Sequence, residues 1–374
     1  MATKVIVEIP GQPEYAVRIG SGVLDSLGQS MRGVPSLASL QRALVITDSN
    51  VGPLYLARCK ASLSGAGFKV SDIAVPAGES SKSLEVAGEI WRAMAQLDLG
   101  RDCVVIALGG GVVGDLAGFV ASTFMRGVPI VQVPTTLLAM VDSSVGGKTA
   151  ANLPEGKNLV GTFYQPSVVC ADTSTLETLP HREWVCGCGE VAKSAIIDSD
   201  EFFFWLSDHA DSMVARDPET VSEAIARCVV FKADVVAQDV TESSGVRECL
   251  NYGHTLGHAI ESCAGFGRFS HGECVAEGMR FATLLAAKMA GSEEASLMDF
   301  AEAQVDLLDA LELKSLDLDM APEQLMEAMR HDKKARGGDL RFVLVEDVGD
   351  WKVARIPDDV VLAALDTWLE WGKE

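Results

Sequence analysis

The stretch that decides the fold is "DCVVIALGGGVVGDLAGF", residues 102–119. It begins as an apolar run, passes through three consecutive glycines and continues with helical spacing. An apolar strand that leads directly into a helix is typical of a parallel sheet covered on both faces. The glycines also match the pattern Gly109-x-Gly111-x-x-Gly114, in which the backbone approaches a pyrophosphate at a helix N-terminus. The stretch predicts a dinucleotide site, and the alternative is an ordinary tight strand–helix turn.

Such a site usually has an acidic residue about 20 positions further on, which binds the ribose. The segment "PIVQVPTTLLAM", residues 129–140, contains none, so the ribose contact falls to Asp48 or Glu79. The later segment "DSSVGGKTA" resembles a phosphate-binding P-loop, but Asp142 stands where that motif requires its first glycine. The sequence therefore excludes a P-loop, and Lys148 needs another role.

Outward from this stretch, strand-like and helix-like segments alternate as far as residue 172, which predicts a parallel sheet. After Asp172 helical spacing dominates, apart from a predicted hairpin over 340–356 with Gly349 in its turn. The predicted fold is an α/β Rossmann-like N-terminal domain with a parallel sheet, residues 1–172, and a mainly α-helical C-terminal domain, residues 173–374. The predicted strands are 4–9 paired with 15–20, 42–48, 69–77, 102–111 and 128–136, and the predicted helices are 51–67, 82–97, a short one from Asp115, 183–208, 217–238, 250–263 and 272–291.

The composition restricts the function. The 374 residues are 48% hydrophobic, and the net charge of -22 argues against nucleic acid or an anionic membrane as a partner. No apolar run approaches the ~20 residues of a membrane span, and "MATKVIVEIPGQ" lacks a signal-peptide pattern. Nine scattered cysteines fit reduced thiols better than a disulfide framework, so we expect a cytoplasmic location.

A second group of residues suggests a metal site. In "LNYGHTLGHAIE", residues 250–261, His254 and His258 lie four residues apart and therefore on one helix face, and His271 follows in "SHGE". Both helix histidines could bind one ion, or one could bind it while the other faces the substrate. Glu190 could complete a mixed carboxylate and imidazole set with an open position, as in catalytic zinc sites. The "CGCGE" pair, Cys186 and Cys188, is the competing source of ligands.

Basic residues recur beside polar ones in this acidic chain. Together with a metal they predict a doubly anionic substrate that carries carboxylate and phosphate ends. The residues are Arg126, Lys148, Lys157 next to Asn158, Lys193, Lys232, Arg247 and the pair Lys333 and Lys334.

Taken together, these blocks resemble the 3-dehydroquinate synthases, the sugar-phosphate cyclases of the shikimate pathway. The resemblance covers most of the chain and is densest in residues 109–127, 134–166, 250–261 and 271–273. It implies bound NAD, a divalent metal that is zinc or, alternatively, cobalt, an anionic sugar-phosphate substrate and a homodimer.

Residue roles are carried over by position. The resemblance implies Glu190, His254 and His271 as metal ligands, with His258 on the substrate side. The implied NAD contacts are Asp48, Ala77, Gly78, Glu79, Ser80, Ser81, Lys82, Gly111, Val112, Val113, Gly114, Asp115, Thr135, Thr136, Thr175, Leu176, Glu177 and Thr178, with Lys148 and Lys157 beside them. The implied substrate residues are Arg126, which tends to serve the neighbouring subunit, Asp142, Lys148, Asn158, Lys193, Lys232, Arg247, Asn251, His258 and Lys334. Of these, Asp142, Lys148, Lys193, Asn251 and His258 are the catalytic candidates, with protons handled by His258 and Lys193.

The implied reaction converts 3-deoxy-D-arabino-heptulosonate 7-phosphate into 3-dehydroquinate and phosphate. Transient oxidation at C5 by NAD acidifies the C6 proton, phosphate leaves, C5 is reduced again, and an intramolecular aldol step closes the carbocycle. The substrate's own phosphate is the expected base. There is no net redox change, so NAD is expected to stay bound.

The chain departs from the family pattern in three places. Gly189 stands for the usual alanine, Val240 interrupts "QDVTE", and Cys274 replaces the alanine of "HGEA". Because Cys188 and Cys274 adjoin the implied ligands, we expect sensitivity to thiol reagents or peroxide.

Three rival functions remain open. A valiolone- or deoxy-inosose-forming cyclase would have less reason to keep Lys232 and Arg247, which we assign to the carboxylate. A metal-dependent alcohol or glycerol dehydrogenase would release NADH. A non-catalytic zinc scaffold would not depend on Lys148.

Overall fold

The computed structural model describes residues 2–265, 267–290, 295–335 and 340–371, without the side chains of residues 295, 296, 332–335 and 371. The chain divides into two compact units. Unit 1 comprises Met1–Pro180 with Val221–Thr241, and unit 2 comprises His181–Thr220 with Glu242–Glu374. The predicted division at residue 172 assigns residues 221–241 to the second domain, whereas they pack with unit 1.

The strands of unit 1 form a seven-stranded sheet and a separate hairpin, and unit 2 has a hairpin of its own. The strands are β1 (Thr3–Val7), β2 (Tyr15–Gly20), β3 (Arg42–Asp48), β4 (Lys69–Val75), β5 (Cys103–Gly109), β6 (Ile130–Pro134), β7 (Lys148–Leu153), β8 (Gly156–Phe163), β9 (Val168–Asp172), β10 (Arg341–Asp347) and β11 (Asp350–Arg355).

The helices surround this sheet in unit 1 and make up most of unit 2. They are α1 (Leu27–Arg32), α2 (Gly52–Gly65), α3 (Leu84–Gln96), α4 (Gly111–Thr123), α5 (His181–Asp198), α6 (Asp200–Asp208), α7 (Ala210–Val214), α8 (Pro218–Gln238), α9 (His254–Ala264), α10 (His271–Ala290), α11 (Ala295–Ala310), α12 (Pro322–Ala335) and α13 (Asp358–Trp371).

The large sheet runs in the order β1-β2-β9-β6-β5-β3-β4. Only β1 and β2 pair antiparallel, as the predicted opening hairpin, and the remaining neighbours pair parallel. Alternate residues of β3 supply different cores: Leu44 and Ile46 pack with α3 and α4, while Ala43 and Val45 pack with α1 and α2. Both faces of the sheet are therefore buried, which explains why its central strands read as continuous apolar runs. The α/β prediction is confirmed.

In unit 2 the apolar core joins α9 and α10 to α12, α13 and the β10–β11 hairpin. Phe281 of α10 illustrates the packing, since its ring lies 6.0 Å from Phe342 and 5.9 Å from Trp368. The predicted late hairpin is confirmed, with Gly349 in its turn at φ 73. Within the described ranges, no helix is both long enough and apolar enough to cross a membrane.

Two features of unit 1 differ from the sequence-based expectation. Helix α4 begins at Gly111 rather than at Asp115, and no side chain caps its N-terminus. The hairpin β7–β8 was not predicted, because the residues of β8 are largely exposed and give no alternating apolar pattern. The helix start places the free N–H groups of α4 directly after the glycines.

Candidate metal centre and nucleotide site

Four polar side chains of unit 2 come together on three helices. Glu190 lies in the middle of the buried helix α5, His254 and His258 lie on α9, and His271 is the first residue of α10. The Oε1 atom of Glu190 is 3.5 Å from Nε2 of His254 and 3.4 Å from Nε2 of His271. The three histidines each offer a ring nitrogen within 4.8 Å of the others.

These groups fit a divalent metal. The Glu190 side chain is only 2% exposed, and its Oε1 is a buried oxygen without a hydrogen-bond partner in the described part of the chain. A buried acceptor left in this way is costly unless another ligand satisfies it. One carboxylate oxygen facing two imidazole nitrogens is a donor set typical of a catalytic zinc site. The structure thus brings together the predicted ligands Glu190, His254 and His271, with His258 as a third imidazole beside them.

Local capping explains where His271 lies. In "SHGE" the Ser270 N–H donates to the Glu273 carboxylate at 2.6 Å, and the Glu273 N–H donates to the Ser270 hydroxyl at 3.4 Å. This reciprocal pair is a capping box, which begins a helix at the residue after the serine. The motif therefore fixes His271 at the first helical position.

Hydrogen bonds to the second ring nitrogens orient both histidines. Nδ1 of His254 lies 3.0 Å from the carbonyl oxygen of Tyr252, and Nδ1 of His271 lies 3.5 Å from the Glu261 carboxylate. Partners of this kind fix the ring so that Nε2 faces the metal position. Glu261 was not predicted, although its spacing of seven residues from His254 places both on one face of α9.

We expect Glu261→Gln to weaken zinc binding by about 10-fold to 100-fold, because a neutral amide orients and polarises His271 less well than a carboxylate. Competition with a fluorescent zinc chelator measures the affinity. The control is Glu370→Gln, the same change at an exposed position of α13. Equal zinc affinity in both variants would contradict the role of Glu261.

Burial and neighbouring charges shift the pKa values of the predicted ligands. Burial raises the pKa of Glu190, but Lys193 and the two histidines bring that pKa well below its usual range. Burial lowers the pKa of His254 to about 3, whereas for His271 the lowering by burial is outweighed by Glu190 and Glu261, which raise its pKa to about 9. A metal bound by both rings would therefore compete with a proton at His271 rather than at His254.

Glycines allow the three helices to approach closely. A Cβ on Gly278 of α10 would lie 1.8 Å from the Gly253 carbonyl oxygen, and one on Gly272 would lie 2.1 Å from the Cys186 carbonyl oxygen. Gly189, which departs from the family pattern, lies against Gly272, where a Cβ would be 2.8 Å from its backbone. At these crossings the helices pack backbone against backbone, with no side chain between them. The predicted metal ligands on the three helices can therefore lie close together.

Among the described residues, the cysteines beside this cluster do not join the group of side chains that could hold a metal. Cys186, Cys188 and Cys274 are buried, and burial raises the pKa of Cys186 and of Cys274 to about 12 and the pKa of Cys188 further still. The structure gives the expected thiol sensitivity no support, because reaction requires an accessible thiolate.

We therefore expect iodoacetamide to label Cys263 alone in the native protein, since it is the exposed thiol among the nine cysteines. Peptide mass mapping after native labelling and after labelling in guanidinium measures this, and the denatured sample should react at all nine positions. Native labelling of Cys188 or Cys274 would contradict the burial argument.

In unit 1 the predicted NAD contacts share one edge of the sheet. They follow the carboxyl ends of five parallel strands, β3, β4, β5, β6 and β9, and this edge is where such sheets bind nucleotides. The hydroxyl of Thr135, just after β6, is buried without a hydrogen-bond partner in the described residues. The uncapped start of α4 and this hydroxyl are both unsatisfied groups that fit a bound dinucleotide.

The Gly109-x-Gly111-x-x-Gly114 pattern has a packing basis as well. A Cβ at Gly114 would lie 2.9 Å from the Gln132 side chain, whose Nε2 donates to the Gly114 carbonyl oxygen at 3.1 Å. Gly111 lies close to Ser143. These contacts explain why α4 packs tightly against β6. The N–H groups of its first turn are not capped by any side chain.

Contacts connect several other predicted residues of unit 1. Lys82 bonds Asp115, whose pKa is raised by burial even though Lys82 lowers it. Lys232 donates to Asp142 at 2.7 Å, which pairs two predicted substrate residues. Asp48 accepts from the N–H groups of Asn50 and Val51, so one oxygen is used at the start of α2. Lys148, Lys157, Asn158 and Arg126 are exposed.

The other predicted residues lie in two 3-10 helices and in α12. Thr175–Thr178 lie in the 3-10 helix Thr173–Thr178, and the Tyr55 hydroxyl donates to the Thr175 carbonyl oxygen at 3.1 Å. Arg247 is 1% exposed and lies in the 3-10 helix Val246–Asn251 of unit 2, which ends at Asn251. Lys334 lies in α12, but its side chain, like that of Lys333, is outside the described residues.

Comparison with known proteins decides the family. The sequence model of the family 3-dehydroquinate synthase N-terminal matches residues 72–186, and the sequence model of the family 3-dehydroquinate synthase C-terminal matches residues 187–335. A 3-dehydroquinate synthase from Rhodopirellula baltica is 44% identical over 359 residues, 95% of each chain. The chain belongs to the 3-dehydroquinate synthase family.

Solved structures of other sugar-phosphate cyclases have the same fold. A 2-deoxy-scyllo-inosose synthase complexed with carbaglucose-6-phosphate, NAD+ and Co2+ superposes with a TM-score of 0.87 at 27% identity, over 97% of this chain and 99% of the other. The 2-epi-5-epi-valiolone synthase from Streptomyces hygroscopicus, with NAD+ and Zn2+ bound, gives 0.85 at 28% identity, over 98% and 99%. The 3-dehydroquinate synthase relative is more similar in sequence than either, so the family resemblance and the fold class are confirmed.

Proposed function

We propose that the chain catalyses the 3-dehydroquinate synthase reaction, from 3-deoxy-D-arabino-heptulosonate 7-phosphate to 3-dehydroquinate and phosphate. The elimination of phosphate makes it a carbon–oxygen lyase of the shikimate pathway. The observation that carries the proposal is the buried Oε1 of Glu190, which faces two imidazole nitrogens in a chain 44% identical to a 3-dehydroquinate synthase over 95% of its length.

Both cofactors have residues that fit them. When bound, NAD exchanges a hydride with the substrate and a divalent metal polarises substrate oxygens. Glu190, His254 and His271 would hold the metal. The uncapped N–H groups of the first turn of α4 would hold the pyrophosphate of NAD, and the Glu79 carboxylate would hold its ribose.

Residues near the metal ligands would hold and move protons. Lys193 is 2% exposed and bonds the Glu190 carboxylate, which keeps that carboxylate ionised and available. His258 lies beside the proposed ligands as a third imidazole, and we assign it to proton exchange with the substrate hydroxyls. With the substrate phosphate as base for the C6 proton, no further carboxylate is required.

Cationic residues would orient the two anionic ends of the substrate. Lys232 is anchored by Asp142, and we assign it with Arg247 to the carboxylate. Lys148, Lys193, Asn158, Asn251, His258, Arg126 and Lys334 complete the proposed substrate set. Fixing both ends of a flexible sugar phosphate lowers the entropic barrier to each step.

The deciding experiment is a coupled assay that measures phosphate and dehydroquinate formed from the heptulosonate phosphate, with and without chelator. We expect equal amounts of both products, no lasting absorbance at 340 nm, and loss of turnover with chelator that added zinc restores. Lasting NADH absorbance would instead indicate a dehydrogenase. Phosphate release from a substrate without the carboxylate would indicate one of the sister cyclases.

We also propose a cytoplasmic homodimer. The cytoplasmic location is supported by nine cysteines that form no disulfide, as expected in a reducing compartment. The dimer is supported by the family resemblance, in which Arg126 serves the neighbouring subunit.

A further inference from the structure

Asn152, which the sequence did not single out, contacts two segments that carry predicted site residues. It lies in β7 where the pairing with β8 shifts register between Ala151 and Leu153. A bulge of this kind releases a residue from the strand ladder and re-aims it. The released Asn152 N–H donates to the Lys82 carbonyl oxygen at 2.7 Å, which ties β7 to the segment that follows β4.

The Asn152 side chain uses both ends of its amide. Its Nδ2 donates to Oε1 of Glu79 at 2.7 Å, and its Oδ1 accepts the Asn158 N–H at 2.8 Å. A carboxylate could only accept, so aspartate at this position would satisfy Asn158 but oppose Glu79. The site therefore requires one donor and one acceptor on a short side chain.

Each partner depends on this amide in a different way. Asn158 has φ 59, a left-handed conformation that asparagine adopts more readily than most residues with side chains, and the hydrogen bond to its N–H helps to hold it. Glu79 is a flexible side chain whose carboxylate is fixed through Oε1, and its other oxygen makes no hydrogen bond within the described residues. That second oxygen is left for a ligand hydroxyl.

We propose that Asn152 is a positioning residue, which sets the Glu79 carboxylate for the ribose of NAD and the Asn158 backbone for the substrate. The proposal rests on the proposed function, in which Glu79 binds NAD and Asn158 binds the sugar phosphate. One amide thereby couples the nucleotide residues after β4 to the substrate residues of β8.

The first test is Asn152→Asp in the full chain, with NAD affinity measured from tryptophan fluorescence in the absence of substrate. Two carboxylates would then face each other at hydrogen-bond distance, so we expect the Kd for NAD to rise about 10-fold. Gln12→Glu is the matched control, because it makes the same amide-to-acid change at an exposed loop of unit 1. Circular dichroism checks that both variants are folded.

The second test reverses donor and acceptor. In Asn152→Asp with Glu79→Gln, the glutamine amide can donate to the new carboxylate, which also still accepts from Asn158. We expect the double variant to bind NAD at least about fivefold more tightly than the product of the two single effects allows. If Asn152 served only to stabilise the fold, adding Glu79→Gln would not restore the affinity for NAD.

The outcomes separate the two proposals. Unchanged NAD affinity in Asn152→Asp, or single effects that simply multiply in the double variant, would overturn the role of Asn152 while the proposed function stands. A wild-type chain that binds no NAD would overturn both.

Discussion

Replacing Glu190 by glutamine should lower kcat/KM by about a thousandfold or more. The change keeps the shape of the side chain but removes the charge that faces His254 and His271 at 3.5 and 3.4 Å. By polarising substrate oxygens, a metal lowers the activation barrier by several kcal/mol, and each 1.36 kcal/mol changes the rate tenfold. These values set the size of the expected loss. Phosphate release measures the activity, and elemental analysis after desalting measures the bound metal.

Because Lys193 would lose its buried partner, the stability of the variant must be followed by thermal unfolding with and without zinc. Glu183→Gln is the matched control: it lies in the same helix, α5, but is exposed. The control should keep full activity and metal content. A folded Glu190→Gln variant that retains one metal per chain and activity within about tenfold of wild type would refute the ligand assignment.

Replacing Gly278 by alanine should destabilise unit 2 by about 3 kcal/mol or more and release the metal. The added Cβ would lie 1.8 Å from the Gly253 carbonyl oxygen, and the obstacle is backbone, which cannot rotate away. Helix α10 must therefore move relative to α9, which separates His271 from His254. We expect amide hydrogen exchange in these two helices to rise about a hundredfold, together with weaker zinc binding.

Gly88→Ala is the contrasting control, since Gly88 lies within α3 and a Cβ there would meet, beyond the backbone of its own helix, only the flexible end of the Arg92 side chain at 3.7 Å. Alanine favours a helix interior by up to about 1 kcal/mol over glycine, so this variant should be slightly stabilised. If both variants behaved alike, the close approach of α9 and α10 would not be what holds the ligands.

The sequence predicted the features that depend on local pattern. The central strands, such as Arg42–Asp48, and the late hairpin around Gly349 were predicted because apolar runs and turn residues mark them directly. Glu190, His254 and His271 come from distant parts of the chain, and their assignment rested on family resemblance. Spacing alone left His258 equally eligible.

Features that depend on tertiary contact were not predicted. The role of Glu261 needs the position of His271, which lies on another helix, and the role of Asn152 needs a register shift in a hairpin that has no apolar alternation. Residues 221–241 read as one more helix of the second domain because helical spacing does not show which core a helix joins.

The buried pairing of Glu190 with Lys193 has an electrostatic consequence for the whole molecule. Because Lys193 offsets the charge of Glu190, a divalent ion that replaces the His271 proton would make this cluster locally cationic. The net charge of the whole chain is -22. The proposed dianionic substrate would then be repelled by the acidic chain at long range and attracted only close to the metal. Moderate salt, which screens over about 8 Å at physiological ionic strength, should speed its association rather than slow it, the reverse of ordinary electrostatic steering.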